Sequence, residues 1–417
     1  MSKFIINGGK PLKGEVEIKG SKNSTLPIIA ASILLPETHL HNVPRIGDVF
    51  SMLEIIDYLG GSHKWLGENE LVITTDGLIN KPLNEVARKL RTSILFAGSM
   101  LAKFGKVELP HPGGDNIGSR PLDAHIDSFK ALGIKVYEDT MLTFDAPDHP
   151  GGEFLMDEPS VTATENLLIY AAAISKPVTM KLVATEPHIQ ALCHFLVAAG
   201  AQIEGIGTTT LKIHGTEHLK STSFDIIPDG IEAVSFIAMA AATHGDILIK
   251  NLDLSVLDSV LLEMNKMNIN YKIEGKDLHI LPPVNPYRSI KKLQSGLHPK
   301  LASDYLPPLA VLATQAEGAT MIHDWMYEAR QSYINELYKM GANTVIMDPH
   351  RSLIIGPTPL RGTEVTSYDI RAGMALIIAA LAAEGQTTIL GIDHIDRGYE
   401  NIDGRLRELG ADIAREI

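Results

Sequence analysis

The chain has 417 residues, of which 45% are hydrophobic and 21% are charged, and its formal net charge is −13 at pH 7. This length exceeds one ordinary domain, so two or three domains are expected. The negative charge argues against general binding to nucleic acid or anionic membranes, and an anionic ligand would need a local basic cluster. The single cysteine, Cys193, excludes an internal disulfide framework and fits a reducing compartment.

Targeting and membrane signals are weak in this sequence. The first residues, MSKFIINGGKPL, lack the basic and then apolar pattern of a signal peptide. The longest apolar runs, 167–174 and 374–383, are far shorter than the roughly 18–20 residues that a membrane span needs. We therefore expect a cytoplasmic protein that binds neither membranes nor nucleic acid.

One pattern returns six times along the chain, about 70 residues apart. An amphipathic helix ends in Leu-Gly or an equivalent pair, and glycine after a helix is a C-cap signal. The predicted helix ends are Leu59, Leu132, Ala199, Met267, Met340 and Leu409. Upstream of each lies a more apolar helix rich in small residues, which is typical of a buried helix, and then a strand candidate. One unit therefore reads helix–strand–helix–strand–strand.

The six units are predicted to form two domains, one of them discontinuous. The last unit stops at Ile417 without its closing hairpin, whereas the first residues, FIINGG and GEVEIKG, are strand-like. The simplest closure is that the amino terminus supplies what the last unit lacks. We predict one domain from 1–21 plus 230–417 and an inserted domain at 22–229, with three units in each and a cleft between them.

The loop from Pro110 to Asp123, PHPGGDNIGSRPLD, follows the apolar strand KVEL and cannot continue it. Proline fixes φ and glycine allows positive φ, so the run predicts a surface loop. It contains one central acid, Asp115, and one base, Arg120. Taken alone, such a run is most often a plain turn. Loops on rigid scaffolds are nevertheless where reactive groups tend to lie.

Further motifs are spread along the chain: GSKNSTLP, HPGGDNIGSRPLDAHI, SVTATENLL, SYDIRAGMAL and HIDRGYENI. Together they resemble the enolpyruvyl transferase family, in particular its branch that uses UDP-N-acetylglucosamine. The resemblance implies an α/β fold, a two-domain inside-out α/β barrel with six βαβαββ-type repeats, three per domain. It also implies transfer of enolpyruvate from phosphoenolpyruvate to the sugar 3-hydroxyl with release of phosphate. In this family that reaction needs no cofactor and is the first committed step of peptidoglycan synthesis.

The resemblance also assigns roles to individual residues. The implied phosphoenolpyruvate cradle consists of five cations, Lys22, Arg91, Arg120, Arg371 and Arg397, and Lys22 and Arg397 are also implied to be catalytic. The planar fork of arginine suits phosphate and carboxylate groups. The implied UDP-sugar contacts are Asn23, Arg120, Pro121, Leu122, Asp123, His125, Ser160, Val161, Thr162, Asp304 and Tyr327. Ser24 and Thr25 are suited to capping the helix that Lys22 opens.

The implied reaction needs a base for the sugar hydroxyl and an acid for C3 of phosphoenolpyruvate. By resemblance Asp304 is the base, although an aspartate before a buried helix is more often an N-cap. Asp115 stands where most of the family carries cysteine, and it is the implied acid. Because the usual aspartate pKa is about 3.9, the pKa of Asp115 would have to be raised. We expect the epoxide antibiotic fosfomycin, which alkylates that cysteine, not to inactivate this chain.

Departures from the family pattern leave the acceptor open. The chain reads PKLASD where the family usually reads GFPTD, Gly230 stands where arginine is usual, and Thr185-Glu186-Pro187-His188 replaces a pattern that usually begins with arginine. One alternative is an enolpyruvyl transferase acting on a modified UDP-sugar or on shikimate 3-phosphate. Another is a non-catalytic paralogue that binds a nucleotide sugar. The sequence leaves the oligomeric state open.

Metal and thiol chemistry are not predicted. The histidines show neither HExxH nor paired ligand spacing, so we expect no metal site. Cys193 lies on an apolar helix face in ALCHFL, which predicts an inert core residue.

Overall fold

The computed structural model describes residues 2–83, 85–114 and 117–417. These residues fall into two compact units. Unit 1 holds the described parts of 1–19, 115–119 and 228–417, and unit 2 holds the described parts of 20–114 and 120–227. Among the described residues, none of the helices is both long enough and apolar enough to cross a lipid bilayer.

Short strands alternate with helices along the whole described chain. The strands are β1 (Lys3–Asn7), β2 (Lys13–Glu17), β3 (Glu37–His41), β4 (Ser62–Trp65), β5 (Leu71–Thr74), β6 (Lys106–Leu109), β7 (Lys135–Glu138), β8 (Leu142–Asp145), β9 (Gly152–Leu155), β10 (Val178–Lys181), β11 (Gln202–Glu204), β12 (Thr210–His214), β13 (Thr222–Asp225), β14 (Asp246–Lys250), β15 (Tyr271–Glu274), β16 (Asp277–Ile280), β17 (Lys292–Gln294), β18 (Gly318–His323), β19 (Asn343–Asp348), β20 (Arg351–Gly356), β21 (Glu364–Thr366), β22 (Gln386–Leu390) and β23 (Asp412–Glu416).

Apart from the short α12, buried helices alternate with amphipathic ones along the chain. The helices are α1 (Lys22–Ser32), α2 (Gly47–Tyr58), α3 (Phe96–Phe104), α4 (Asp123–Ala131), α5 (Val161–Ala172), α6 (Pro187–Ala198), α7 (Gly230–Ala242), α8 (Asp258–Lys266), α9 (Leu306–Thr314), α10 (Ser332–Lys339), α11 (Ile370–Ala382), α12 (Asp393–Asp396) and α13 (Ile402–Glu408). Four 3₁₀ turns lie at Glu85–Lys89, Arg91–Leu95, Leu254–Leu257 and Ser303–Tyr305.

Each unit is built around three buried helices. In unit 1, α7, α9 and α11 pack on one another, and in unit 2 α1, α3 and α5 do the same. These helices are mostly apolar and are buried on nearly every face, so they are stable only where other elements cover them all round. In α11, for example, every residue from Ile370 to Leu381 is buried. The amphipathic helices and the sheets provide the cover.

Three sheets belong to each unit. Unit 1 has the strand orders β21-β22-β1-β23, β15-β16-β14-β2 and β17-β18-β20-β19, and unit 2 has β11-β12-β10-β9, β13-β3-β5-β4 and β6-β8-β7. In five of the six, the first-listed or last-listed strand runs parallel to its neighbour, as β17 does to β18. In most units this parallel strand precedes the buried helix. The helix–strand–helix–strand–strand pattern predicted from the repeats did not include it.

The predicted closure of the last unit by the amino terminus is confirmed. β1 lies between β22 and β23 and pairs antiparallel with both, with Phe4 opposite Ile389 on one side and Arg415 on the other. Unit 2 is closed in a similar way by its own end, because β13 pairs in parallel with β3.

The six predicted helix ends are also confirmed. The C-caps of the amphipathic helices are Leu59, Leu132, Ala199, Met267, Met340 and Leu409. The residue after each cap has positive φ: Gly60, Gly133, Gly200, Asn268, Gly341 and Gly410. Glycine and asparagine tolerate this left-handed conformation, which turns the chain out of the helix and toward the next strand.

The expected cap of α1 was wrong. The helix begins at Lys22, and its N-cap is Ser21, whose hydroxyl accepts from the Ser24 amide. Ser24 and Thr25 lie inside the helix, and the Thr25 hydroxyl donates to the Ser21 carbonyl at 2.8 Å. The helix therefore begins at Lys22, as predicted, but its cap is the residue before it, Ser21.

Candidate functional site

In unit 1 the centre of the candidate site is Asp304, in the 3₁₀ turn before α9. Its Oδ1 lies 2.5 Å from Arg330 Nη2, and its Oδ2 accepts from Arg371 Nε at 2.9 Å. We call Asp304, Arg330 and Arg371 the Asp304 cluster. The N-cap expectation for Asp304 was wrong, because α9 has no side-chain cap and the carboxylate faces the two guanidinium groups. The side chain of Asp304 is 23% exposed, whereas those of the arginines are nearly buried.

The electrostatics of the Asp304 cluster keep its carboxylate ionised. Burial by itself would raise the pKa of Asp304, but the charges of Arg330 and Arg371 and their hydrogen bonds outweigh it and hold the pKa well below the usual range. A carboxylate with two such partners accepts protons weakly. Asp304 can act as a base only when another anion shares the positive charge of Arg330 or Arg371.

Arg371 has the geometry to take a second anion. It is the second residue of α11, whose N-cap Asp369 accepts from the amides of Arg371 and Ala372 at 2.9 Å each. Its Nε is used by Asp304, but its Nη1 is buried and has no hydrogen-bond partner among the described residues. A buried, unsatisfied guanidinium donor at a helix amino terminus favours binding of phosphate or carboxylate.

The predicted Arg397 and Tyr327 both lie near this cluster. Arg397 follows α12, and a Cβ placed on the next residue, Gly398, would lie 3.8 Å from Arg371 Nη1. The guanidinium carbon of Arg330 lies 5.1 Å from the centre of the Tyr327 ring. Unit 1 therefore brings together Asp304, Arg371, Tyr327 and the segment that carries Arg397.

Two residues at this site were not predicted from the sequence: Arg330, which belongs to the Asp304 cluster, and Asp229, whose carboxyl lies within the influence of the Arg371 charge. Arg330 is one of the two arginines that bind the Asp304 carboxylate. Asp229 caps α7, because its Oδ1 accepts from the amides of Ile231 and Glu232 at 2.8 and 3.2 Å. Burial raises the pKa of Asp229, against the opposing charge of Arg371. In the sequence, Asp229 could have been recognised as a helix cap by its place before an apolar helix. No comparable pattern surrounds Arg330.

Gly230, one of the departures from the family pattern, has a structural explanation. A Cβ at this position would lie 3.0 Å from the hydroxyl of Tyr305, which is tighter than ordinary van der Waals contact. Tyr305 itself is buried beside Asp304 and Asp229, whose charges add to burial in raising its pKa. The tyrosine hydroxyl thus occupies the space that a side chain at 230 would enter.

In unit 2 the predicted residues lie in the loop, at a 3₁₀ turn and at the starts of three helices, α1, α4 and α5. Arg91 opens a 3₁₀ turn, and its Nη2 donates to the Pro121 carbonyl at 2.7 Å. A Cβ on Gly114, whose φ is +120°, would lie 3.1 Å from the Arg91 Cβ and 3.6 Å from Arg120 Nη1. Arg91 and Arg120 are therefore neighbours, as a shared anion would require. Leu122 caps α4, and Asp123 is its first residue.

His125 links α4 to the amino terminus of α5. Its Nδ1 lies 3.1 Å from Asn166 Nδ2 and its Nε2 lies 3.0 Å from the Thr162 hydroxyl. Because the amide nitrogen can only donate, Nδ1 accepts and Nε2 carries the hydrogen. Burial, with the nearby charge of Arg91, lowers the pKa of His125 to about 3. The ring is therefore neutral, and the Thr162 hydroxyl keeps its own hydrogen for another acceptor.

The other predicted contacts of unit 2 also lie at helix starts. Ser160 is the N-cap of α5, and Val161 and Thr162 are its first residues. Lys22 is the first residue of α1 and Asn23 is the second. The Nζ of Lys22 lies 2.6 Å from Asp48 Oδ2. Amino-terminal helix ends carry partial positive charge, which suits phosphate-bearing ligands. Whether the five cations meet at one phosphoenolpyruvate stays a prediction, and Asp115 lies outside the described residues.

The Thr185–His188 departure lies at the start of α6. His188 Nε2 lies 3.7 Å from Oε1 of the buried Glu165. Burial raises the pKa of Glu165 well above its usual value, and the charge of Glu186 adds to this. Cys193, further along α6, is buried, and burial raises the pKa of its thiol to about 12. The predicted core position of Cys193 is confirmed.

The described residues contain no group of three or more histidine, cysteine or acidic side chains placed to hold a metal ion. The groups described above are carboxylates, guanidinium groups and helix ends. Guanidinium groups and helix amino termini of this kind are suited to binding anionic ligands.

Comparison with known proteins defines the class. A profile of the family described as EPSP synthase (3-phosphoshikimate 1-carboxyvinyltransferase) matches residues 6–406, so the chain belongs to this family of enolpyruvyl transferases. The chain is 43% identical over 423 residues to the UDP-N-acetylglucosamine 1-carboxyvinyltransferase of Bradyrhizobium diazoefficiens, covering 99% of this chain and 97% of that protein. It is 38% identical to the enzyme of the same name from Treponema denticola, covering 99% of both.

Solved structures confirm the predicted fold, the two-domain inside-out α/β barrel. The enolpyruvyl transferase NikO from Streptomyces tendae is similar with a TM-score of 0.90 at 23% identity, covering 100% of this chain and 99% of that one. An EPSP synthase from Acinetobacter baumannii is similar with a TM-score of 0.76 at 17% identity, covering 100% of both chains.

Proposed function

We propose that this chain transfers the enolpyruvyl group of phosphoenolpyruvate to the 3-hydroxyl of UDP-N-acetylglucosamine and releases phosphate. The observation that carries the proposal is the 43% identity, over nearly the whole of both chains, to a relative whose name specifies this acceptor. The Asp304 cluster of unit 1, together with the basic residues and helix starts of unit 2, supplies the residue types that the reaction needs. In a cell, we place this reaction in the cytoplasm at the first committed step of peptidoglycan synthesis, on which cell-wall formation, cell shape and division would depend.

The proposed reaction proceeds by addition and then elimination. The sugar 3-oxygen bonds to C2 of phosphoenolpyruvate while its proton passes to a base, and C3 receives a proton from an acid. The resulting tetrahedral intermediate then loses a proton from C3 and expels phosphate, which restores the double bond. We assign the base role to Asp304 and the acid role to Asp115.

Asp304 is proposed to become a better base when phosphoenolpyruvate binds. Arg371 holds Asp304 through Nε, and its buried Nη1 has no partner among the described residues. A phosphate or carboxylate accepting from Nη1 would share the guanidinium charge with Asp304. The pKa of Asp304 would then rise toward its usual value, so that one substrate prepares the base for the other.

The remaining predicted residues are proposed to bind the substrates. Lys22, Arg91, Arg120, Arg371 and Arg397 would hold phosphoenolpyruvate, with Lys22 and Arg397 also stabilising charge in the intermediate. The proposed contacts of the nucleotide sugar are Asn23, Arg120, Pro121, Leu122, Asp123, His125, Ser160, Val161, Thr162, Asp304 and Tyr327. The neutral His125 would fix the Thr162 hydroxyl so that it donates to the nucleotide sugar.

Phosphate release tests the proposal. The purified chain is incubated with phosphoenolpyruvate and, in parallel, with UDP-N-acetylglucosamine, a modified UDP-sugar or shikimate 3-phosphate. We expect release only with UDP-N-acetylglucosamine. Release only with another acceptor would replace the proposed substrate, and binding of the UDP-sugar without release would indicate a non-catalytic paralogue. An Asp304→Asn variant, which keeps the side-chain shape but loses the charge, serves as the control.

A further inference from the structure

The segment 117–119 of the Pro110–Asp123 loop is held by one carboxylate of unit 1. The Ser119 amide donates to Glu328 Oε1 at 2.6 Å. Gly118 has φ of +127°, and a Cβ there would lie 2.6 Å from Glu328 Oε2 and 2.8 Å from its Cδ. Only glycine therefore allows both this backbone conformation and this approach of the carboxylate. The next residue toward the amino terminus, Ile117, is buried.

Glu328 follows a turn that is held by hydrogen bonds. The buried carboxylate of Asp324 accepts from the amides of Met326 and Tyr327 at 3.0 and 3.3 Å, which fixes the turn that leads to Glu328. Asp324 also accepts from the Ser303 hydroxyl at 2.5 Å, and Ser303 adjoins Asp304 in the chain. The turn and the Asp304 segment are thus joined by direct hydrogen bonds.

On its other side, Glu328 is two residues from Arg330. Arg330 Nη1 donates to the Ser303 hydroxyl at 2.8 Å, and its Nη2 binds Asp304. Within 324–330, Arg330 binds Asp304 and Glu328 accepts from the Ser119 amide. One short segment therefore contacts both Asp304 and segment 117–119. The amides of Ser119 and of Glu328 itself lower the pKa of the Glu328 carboxyl, so the group that accepts the loop amide is ionised.

We propose that Glu328 is a positioning residue that anchors segment 117–119 during enolpyruvyl transfer. The inference rests on the function proposed above, in which Asp115 is the acid, because Asp115 precedes the anchored segment by two residues. Through the shared 324–330 segment, the anchor and the contacts of the proposed base are parts of one hydrogen-bonded structure. A change at Glu328 should therefore affect the proton-transfer steps more than the binding of the UDP-sugar.

Amide hydrogen exchange in the full chain tests the anchor directly. Glu328→Ala removes the acceptor, so the Ser119 amide should exchange about tenfold faster, as expected for loss of a solvent-accessible hydrogen bond to a charged group. Glu328→Gln keeps an acceptor oxygen without the charge and should give an intermediate rate. Gly118→Ala should match Glu328→Ala. The matched control is Glu408→Gln, at an exposed glutamate at the end of α13, which should leave exchange at Ser119 unchanged.

Kinetics test the positioning role. With phosphoenolpyruvate and UDP-N-acetylglucosamine, Glu328→Ala should lower kcat about tenfold and leave KM for the UDP-sugar within about twofold, and Glu328→Gln should recover part of the kcat. Unchanged exchange at Ser119 in Glu328→Ala overturns the anchor, and faster exchange with unchanged kcat overturns the positioning role. Failure of the proposed function is seen separately, as absence of phosphate release by the unaltered chain, and exchange then still decides the anchor.

Discussion

Replacing Arg330 by methionine isolates the central interaction of unit 1. Methionine keeps much of the side-chain volume but leaves Asp304 with Arg371 as its remaining arginine partner. Breaking a buried ion pair from one side costs about 3–5 kcal/mol, and because Asp304 is 23% exposed we take the lower end, about 3 kcal/mol. For a unit of this size that corresponds to a fall in the thermal unfolding midpoint of roughly 6–12 °C.

The chain offers a matched control for this variant. Arg351 binds Asp348 with Nη2 and Oδ2 at 2.6 Å, but the two side chains are 47% and 30% exposed. Arg351→Met should therefore lower the unfolding midpoint much less than Arg330→Met, because solvent screens this pair. Calorimetry or circular dichroism at neutral pH provides the midpoints. Equal losses in the two variants would refute the reasoning that burial gives the Asp304 cluster its strength.

A double-mutant cycle and a pH series sharpen the same prediction. In an Asp304→Asn background, the cost of Arg330→Met should fall by about half or more, because the charge that Arg330 balances is gone. The pKa of Asp304 is lowered by folding, so its stabilisation is present above the unfolded pKa of about 3.9 and is lost as pH falls below it. The difference between the unaltered chain and Arg330→Met should shrink over that same acid range. Additive costs would contradict the account.

Other residues give independent predictions. Because folding lowers the pKa of His125 to about 3, the unaltered chain should lose about 2 kcal/mol more stability than His125→Asn between pH 7 and pH 5, measured by denaturant unfolding; parallel curves would contradict a neutral, buried ring. Gly230→Ala should cost about 1 kcal/mol through its contact with Tyr305, and Tyr305→Phe should remove most of that cost; an equal cost in both backgrounds would rule out the contact. Fosfomycin should not inactivate the unaltered chain with time, whereas Asp115→Cys should become sensitive; time-dependent inactivation without the cysteine would refute this.

The repeats and their boundaries could be predicted from the sequence because they depend on local chemistry. A helix that ends before glycine or asparagine needs positive φ at that residue, and Gly60 and Asn268 both have it. The strand supplied by Phe4 to the last unit could also be inferred, since an open unit at Ile417 and unpaired strand residues at the start have one simple solution.

The site could be predicted only in part, because its contacts join residues that are far apart in the chain. Asp304 and Arg371 could be named by resemblance, but not the ion pair between them across 67 positions. Arg330 and Glu328 look like ordinary exposed residues of the segment YEAR, and nothing local indicates that one binds Asp304 and the other the Ser119 amide 209 positions away. From the sequence, Gly230 is only a departure from the family pattern. The structural reason, the nearby hydroxyl of Tyr305, lies in a distant part of the chain.

Identifying the product tests the proposed function most directly. The purified chain is incubated with UDP-N-acetylglucosamine and phosphoenolpyruvate labelled in the enolpyruvyl carbons, and the nucleotide sugar is analysed by nuclear magnetic resonance and mass spectrometry. We predict the labelled enolpyruvyl group on the 3-oxygen of the sugar, with one phosphate released for each group transferred, and loss of both in Asp304→Asn. An unlabelled nucleotide sugar, or label on shikimate 3-phosphate alone when that acceptor is offered, would contradict it.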